Sequence, residues 1–458
     1  MRTGRNRHIW RAGGAVGLLS AIALLVTACG GAGGGGGGSG GTGSGTKGPQ
    51  NSLISCPSST NTSAASAESG TVNLVAAGWS SSPAEEKLVR DGIATFEQQH
   101  PNIKVSLQLI PGDYATKMRA NVASGNVPDV FYIQPPMAQE YVTGGKLLNL
   151  SPYMAKDNIS ASSYYASLMT PFNCADGTVF GIPKDWNSLG LFYNKSLLQK
   201  AGVDTSNIAN WTWDDLKSAA QKATTGNVVG LSLPADASRW GAFLFADGGK
   251  MLTNNGQQAA FNSDQGVNTM QFYAGFVKNG HAKRPSDMGA GWDGDAFGQQ
   301  KAAMTFEGGW MIPFMSQTFP KVQYNIAPLP KAPDGSRGNL TFTNAWGASA
   351  STKHPEAAWE FIKFMTGQAY QSTVMKSGFA LPTLKAMGDD PYFTSHPDAK
   401  VLQDGANYGK ADFYGPADDK IHTQISNAIE AVMLGKSDAK AALNSAAQNV
   451  NTFIQQNS

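Results

Sequence analysis

Cysteine, histidine and charge are all scarce in this chain. Of its 458 residues three are cysteine and six are histidine, and charged residues make up 15%. No two histidines stand at i, i+4, and the spacing of Cys29, Cys56 and Cys174 fits no zinc motif, so no metal is expected. H-E-x-x-H and the Walker loop are missing as well, which removes the commonest signs of a metalloprotease or a nucleotide hydrolase. No cofactor and no catalytic residue are expected. The formal charge of +2 owes its sign to Arg2, Arg5, Arg7 and Arg11, and without residues 1–28 it becomes −2. Since no basic stripe remains to follow a phosphate backbone, nucleic acid is not an expected partner. No internal repeat is visible.

Those four arginines precede an apolar run from Ala15 to Ala28, which ends at Leu25-Val26-Thr27-Ala28-Cys29. The run falls short of the roughly 20 residues that cross a bilayer as a helix, and small residues stand just before the cysteine. This pattern resembles a bacterial lipoprotein signal. It predicts a cleaved segment 1–28, a lipid on Cys29 and a tether over 29–70 whose Gly/Ser-rich start has little apolar surface to bury. The expected location is the extracellular face of the cell membrane. The competing readings are an uncleaved transmembrane anchor or secretion after a cut elsewhere.

With Cys29 lipidated, Cys56 and Cys174 remain in an oxidising compartment, and cysteine arithmetic pairs them. Such a bridge would limit the free leash to the segment between Cys29 and Cys56, roughly 30 Å r.m.s. for a flexible coil. Two unpaired buried thiols are the alternative.

About 390 residues follow the tether, more than one hydrophobic core normally serves. Thr71–Ala76 reads as a core strand. Ser82 and Glu85 have capping-box spacing around Pro83, and Leu88, Val89, Ile93 and Phe96 form one helical face that His100-Pro101 ends. Ile103, Val105, Leu107 and Leu109 alternate as a second strand. Tyr114, Met118 and Val122 then mark a helix closed by Gly125, and Val130–Ile133 reads as a third strand. Alternation of this kind predicts an α/β layer fold with a mostly parallel sheet. A second, more helical unit starts near Lys184, with helices opening at Thr212 or Trp213 and at Asp264. Ile326–Pro330 reads as extended, because a residue before proline is driven from the helical region. A helix starts at Pro355 with Ala358, Phe361, Ile362 and Met365 inward, and helical stretches run from about Lys420 to Ile454.

The segments "IATFEQQHPNIKVSLQLIPGDYATKMRANVASGNVPDVFYIQ", "GTVFGIPKDWNSLGLFYNKSLLQKAGVD", "NWTWDDLKSAAQKA" and "FGQQKAAMTFEGGWMIPF" occur in that order. Together they resemble the family 1 extracellular solute-binding proteins, the sugar-binding components of ABC importers. The likeness runs from Thr71 to Ile454. It implies a type II, two-lobed periplasmic-binding-protein-like α/β fold, with a first lobe of 71–183 plus 329–382 and a second of 184–328 plus 383–458. It further implies a monomer that closes on a sugar or oligosaccharide and docks on the permease's membrane subunits.

Sugar recognition needs flat aromatic faces and fixed polar groups. Trp79 with Ser80 after the first strand, Gln134 after the third, and Asp185-Trp186-Asn187 at the first crossing are expected to rim the cleft. By the family likeness Arg239 and Trp240, Trp292 and Asp293, Glu307 and Trp310, and Asn344 and Trp346 join them. Trp310 is the expected stacking platform, and Gly308 and Gly309 are expected to let the backbone approach the ligand. Where maltose-binding proteins carry an acidic sugar-binding residue this chain has Asn187, so the same disaccharide preference is not implied. Trp359, on an amphipathic helix, is expected in the core. Trp211 and Trp213 are expected to anchor a helix start.

Two other functions compete. A glycoside hydrolase needs two carboxylates about 5–10 Å apart, for which Asp185, Asp293 and Glu307 are the candidates. A receptor for a peptide, polyamine, metal chelate or phosphodiester would keep the fold and change the cargo. The aromatic supply favours sugar.

Overall fold

The computed structural model describes Cys56 and residues 63–66, 68–80, 83–253 and 256–457. The expected signal segment, Cys29, most of the tether and the capping residue Ser82 lie outside the described residues.

Strand β1 (Val72–Trp79) is followed by the helix Pro83–Gln99, β2 (Ile103–Ile110), the helix Tyr114–Ser124 and β3 (Val130–Ile133). Pro83 sits at the first helical position, where its missing N–H costs nothing, and Val89, Ile93 and Phe96 are buried. Gly125 ends the second helix at φ 77°, a left-handed conformation that favours glycine. β1 runs parallel to both β2 and β3.

A crossing comes next. β4 (Ile182–Ser188) and β5 (Gly190–Asn194) are separated by Leu189 alone, yet β4 pairs with a strand of the first sheet and β5 with two of the second. β6 (Val229–Ser232), β7 (Ala282–Lys283), β8 (Ala302–Glu307) and β9 (Tyr324–Ala327) complete the second sheet, in the order β7-β6-β8-β5-β9. β10 (Asn339–Ala348) carries the chain back, antiparallel to β3 and β4, and β11 (Gly409–Ala411) adds at its edge. The first sheet thus reads β11-β10-β3-β1-β2, with β4 also on β10.

Each sheet has its own core, so the molecule is a two-lobed α/β protein. Phe96, Trp346, Trp359 and Phe361 fill the first core, and Trp213, Trp240, Phe243 and Leu443 the second. Trp359 faces inward from the helix Pro355–Thr366, and its indole N–H donates to Asp157 Oδ2 at 2.7 Å. Trp211 and Trp213 are buried at the start of the helix Trp213–Ala223, which Thr212 and Asp215 close with a reciprocal capping box. Leu329, Ala332 and Leu340 pack into the second core. The helices Asp418–Met433 and Ala439–Gln456 end the chain.

Cys56 and Cys174 form a disulfide, with Cα atoms 5.8 Å apart at a sequence separation of 118. Among the described residues no helix is long and apolar enough to cross a membrane.

Candidate ligand-binding cleft

A cleft of about 400 Å³ opens where β1, β4 and β10 of the first sheet face the turn after β8 in the second lobe. Trp79, Asp185, Asn187, Trp310 and Asn344, five of the residues singled out in the sequence, line it. Strand alternation accounts for the pair on β4, since Asp185 and Asn187 are two residues apart and share a face. Phe342 and Asn344 do the same on β10.

The first-lobe wall rests on a buried ion cluster. Lys184 Nζ donates to Glu85 Oε1 at 3.1 Å and to Asp185 Oδ2, and lies 5.2 Å from the Trp79 ring centroid and 4.6 Å from that of Tyr132. Burial opposes the ammonium charge, but the Asp185 and Glu85 carboxylates outweigh it and hold Lys184 well above the usual lysine range. Burial pushes the Asp185 carboxyl up, with Lys184 pulling the other way. Trp79 Nε1 donates to Glu85 Oε2 at 3.0 Å, and its ring packs on Tyr114 and Tyr132. The tryptophan is therefore fixed at its base and half-buried.

Across the cleft, Trp310 Nε1 donates to Glu307 Oε2 at 2.8 Å, and Arg239 Nη2 holds Glu307 Oε1 at 2.5 Å. Arg239 also donates from Nη1 to Asp236 Oδ1 at 3.0 Å and from Nε to the Phe306 carbonyl at 2.9 Å. Asp293 stands behind this group. It accepts the Ser232 hydroxyl at 2.5 Å, and burial pushes its carboxyl up to about 7 against the pull of Arg239. The Trp310 ring meets Phe342 edge-on, with centroids 5.6 Å apart.

The glycines before Trp310 serve side chains. A Cβ on Gly308 would stand 2.3 Å from the Trp310 ring, and one on Gly309 would stand 2.3 Å from Asn187 Oδ1. Both would displace groups of the cleft wall.

The remaining predicted residues lie elsewhere. Trp186 is fully buried and donates its indole N–H to the Pro382 carbonyl at 2.8 Å, because alternation turns it away from its two neighbours. Trp240 is fully buried in the second core, on the helix Ala237–Ala246, and has no face to offer a ligand. Trp346 packs into the first core against Tyr132; the register of β10 on β4 shifts between Asn344 and Ala345, so Asn344 and Trp346 do not share one regular face. Arg239, Asp293 and Glu307 form the buried support just described. Trp292 is half-buried against Phe314. Ser80 is exposed and donates to Glu86 Oε1 at 2.6 Å. Gln134 precedes the helix Pro135–Thr143 without capping it by its side chain.

Sequence reading missed Lys184, Phe342 and Phe379 in the cleft and gave Glu85 only a capping role. The carboxylates facing the cleft, Glu85 and Asp185, both serve Lys184, while Asp293 and Glu307 are enclosed. The three carboxylates expected of a hydrolase therefore do not gather around a shared opening. Among the described residues no group of three or more His, Cys, Asp or Glu side chains is placed to hold a metal ion.

A family model described as bacterial extracellular solute-binding protein matches residues 78–372. The galactooligosaccharide-binding protein of Bacillus subtilis is 24% identical over 417 residues, which cover 88% of this chain and 94% of that one. An ABC substrate-binding protein of Listeria monocytogenes, solved in complex with cycloalternan, matches with a TM-score of 0.75 at 25% identity over 84% of this chain and 99% of its own. UgpB of Mycobacterium tuberculosis, solved with glycerophosphocholine, matches with a TM-score of 0.72 at 20% identity over 85% of this chain and 100% of that one, a likeness of fold.

Proposed function

This chain belongs to the bacterial extracellular solute-binding proteins, and from that premise we propose that it captures a neutral sugar or oligosaccharide and delivers it to an ABC permease. The observation that carries the neutral assignment is the commitment of both nearby cations. Lys184 is neutralised by Glu85 and Asp185, and Arg239 by Asp236 and Glu307. Among the described residues of the cleft an anionic solute would find no free positive charge and would meet carboxylates, a juxtaposition that costs binding free energy. A sugar would find the faces of Trp79 and Trp310 and the polar groups of Asp185, Asn187 and Asn344. The galactooligosaccharide- and cycloalternan-binding relatives support that cargo. The buried roles of Glu307 and Asp293 support binding without catalysis.

In this reading the lobes are roughly 71–183 with 329–382 and 184–328 with 383–458, except that Leu329, Ala332 and Leu340 pack into the second core and β11 joins the first sheet, and β4 and β10, which pair with one another, form the hinge. Sugar drives closure only by as much as it binds the closed state better than the open one. Cys29 carries a lipid that holds the monomeric receptor at the membrane, beside the permease that reads the closed form. The test is a thermal-shift screen of neutral mono- and oligosaccharides beside sugar acids, sugar phosphates and glycerophosphodiesters. A ligand at 100 times its Kd should add about 2.7 kcal/mol of stability. Stabilisation by neutral sugars alone is expected; stabilisation by the anionic set alone would overturn the assignment.

A further inference from the structure

Beside the cleft lies a second cavity, of about 270 Å³. Its floor is apolar: Met375, Leu381 and Leu402 are buried there as part of a third hydrophobic cluster. That cluster takes Trp186 from β4, Phe192 from β5 and Ile326 from β9, so it is built from strands of both sheets. One rim is the pair Tyr392 and His396, whose rings stack with centroids 3.9 Å apart at 12°. Asp398 stands at another side, where it accepts the Ile326 amide at 3.1 Å. Among the described residues neither lysine nor arginine lines the cavity.

Asn187 forms the partition between this cavity and the cleft, since it lines both and its amide rests against Gly309. Its Oδ1 is buried and accepts no hydrogen bond. A buried acceptor left unpaired is costly, so a donor arriving from the cavity would remove a standing penalty. The volume falls just below the usual range of ligand pockets, roughly 300–1,000 Å³, and suits one ring better than a chain of sugars.

We propose that this cavity is a second ligand site, distinct from the sugar cleft, which takes a neutral single-ring molecule with an apolar face and one hydroxyl that donates to Asn187 Oδ1. The ring rests on Met375, Leu381 and Leu402, and the Tyr392–His396 stack covers the opening.

Phenol is the probe, and fluorobenzene, of similar size without a donor, is its control. In full-length protein labelled with 13C at the methionine methyls, phenol should shift the Met375 methyl saturably and leave that of Met118, in the first core, unmoved. Fluorobenzene should bind at least tenfold more weakly. Ala399→Phe, which fills the cavity, should abolish the phenol response with an unchanged spectrum elsewhere, while Trp79→Ala, in the cleft and packed only against the first core, should leave phenol affinity within twofold. The proposal fails if wild-type protein shows no saturable Met375 shift. It also fails if fluorobenzene binds as well as phenol, or if Trp79→Ala weakens phenol tenfold, for the cavity would then be an arm of the sugar cleft.

Discussion

The indole N–H of Trp310 donates to one oxygen of Glu307, and Arg239 holds the other. The half-buried tryptophan is thereby fixed from behind by a carboxylate that is wholly enclosed. Removing that carboxylate should cost more than a surface ion pair. Glu307→Ala leaves the Arg239 guanidinium with less than its charge compensation, and a loss of about 3–5 kcal/mol is expected. Urea melts check it. A loss under 1 kcal/mol would show that Asp236 and the Phe306 carbonyl suffice.

Asp293 gives the protein a pH dependence of definite sign. Its carboxyl titrates at about 7 in the folded state and near 3.9 when unfolded. Between those values the native protein holds a proton that the unfolded chain has released, so stability falls as pH rises through that window. Below it the contribution is fully present, and above about 7 it is lost. Asp293→Asn does not titrate. The stability of the variant relative to wild type should therefore rise by up to ~4 kcal/mol between pH 4 and pH 8. Denaturant melts across that range would show a flat difference if Asp293 is ionised throughout.

The Cys56–Cys174 bridge closes a long loop and should stabilise the chain by about 2–4 kcal/mol. Reduction, or Cys174→Ser, should lower the melting midpoint accordingly. Alkylation of the non-reduced native protein without Cys29 should label no thiol; two labelled thiols would contradict the pairing.

The alternating first half of the chain was legible because its strands are single-faced or wholly buried and its helices carry clear apolar stripes and stops at Pro101 and Gly125. The cleft was only partly so. Trp186 was placed with Asp185 and Asn187 by adjacency, although a period of two already sends it to the opposite face. Trp346 and Asn344 are separated by an irregularity in β10 that nothing in the residues announces. Trp240 sits on a helix buried nearly all round, where an indole in the core and an indole on a ligand look the same in sequence. Lys184 was missed because a buried lysine depends on Glu85, 99 residues away, and no local pattern reports such a partner.

In the proposed reading, anchoring rests on Cys29. Growth with a radioactive fatty acid should label the wild-type protein and leave Cys29→Ser unlabelled. Equal incorporation by both would remove the lipid from this cysteine.

Trp359 provides the control for the cleft. It is enclosed in the first core, so Trp359→Ala should cost roughly 3–5 kcal/mol through the cavity it leaves. The folded fraction should keep its affinity for the sugar found by thermal shift. A large loss of intrinsic affinity with little loss of stability would place Trp359 in the wrong role.

The claim that sugar stacks on Trp310 between the two lobes is tested most directly by calorimetric titration of the neutral sugar from the screen into Trp310→Ala. The variant lacks a platform that faces the cleft; because Trp310 also packs against the second core and donates to Glu307 Oε2, some stability is lost with it, and a denaturant melt fixes the folded fraction. Binding by the folded variant at least tenfold weaker than wild type, about 1.4 kcal/mol, is the predicted result; affinity equal to wild type would contradict the site.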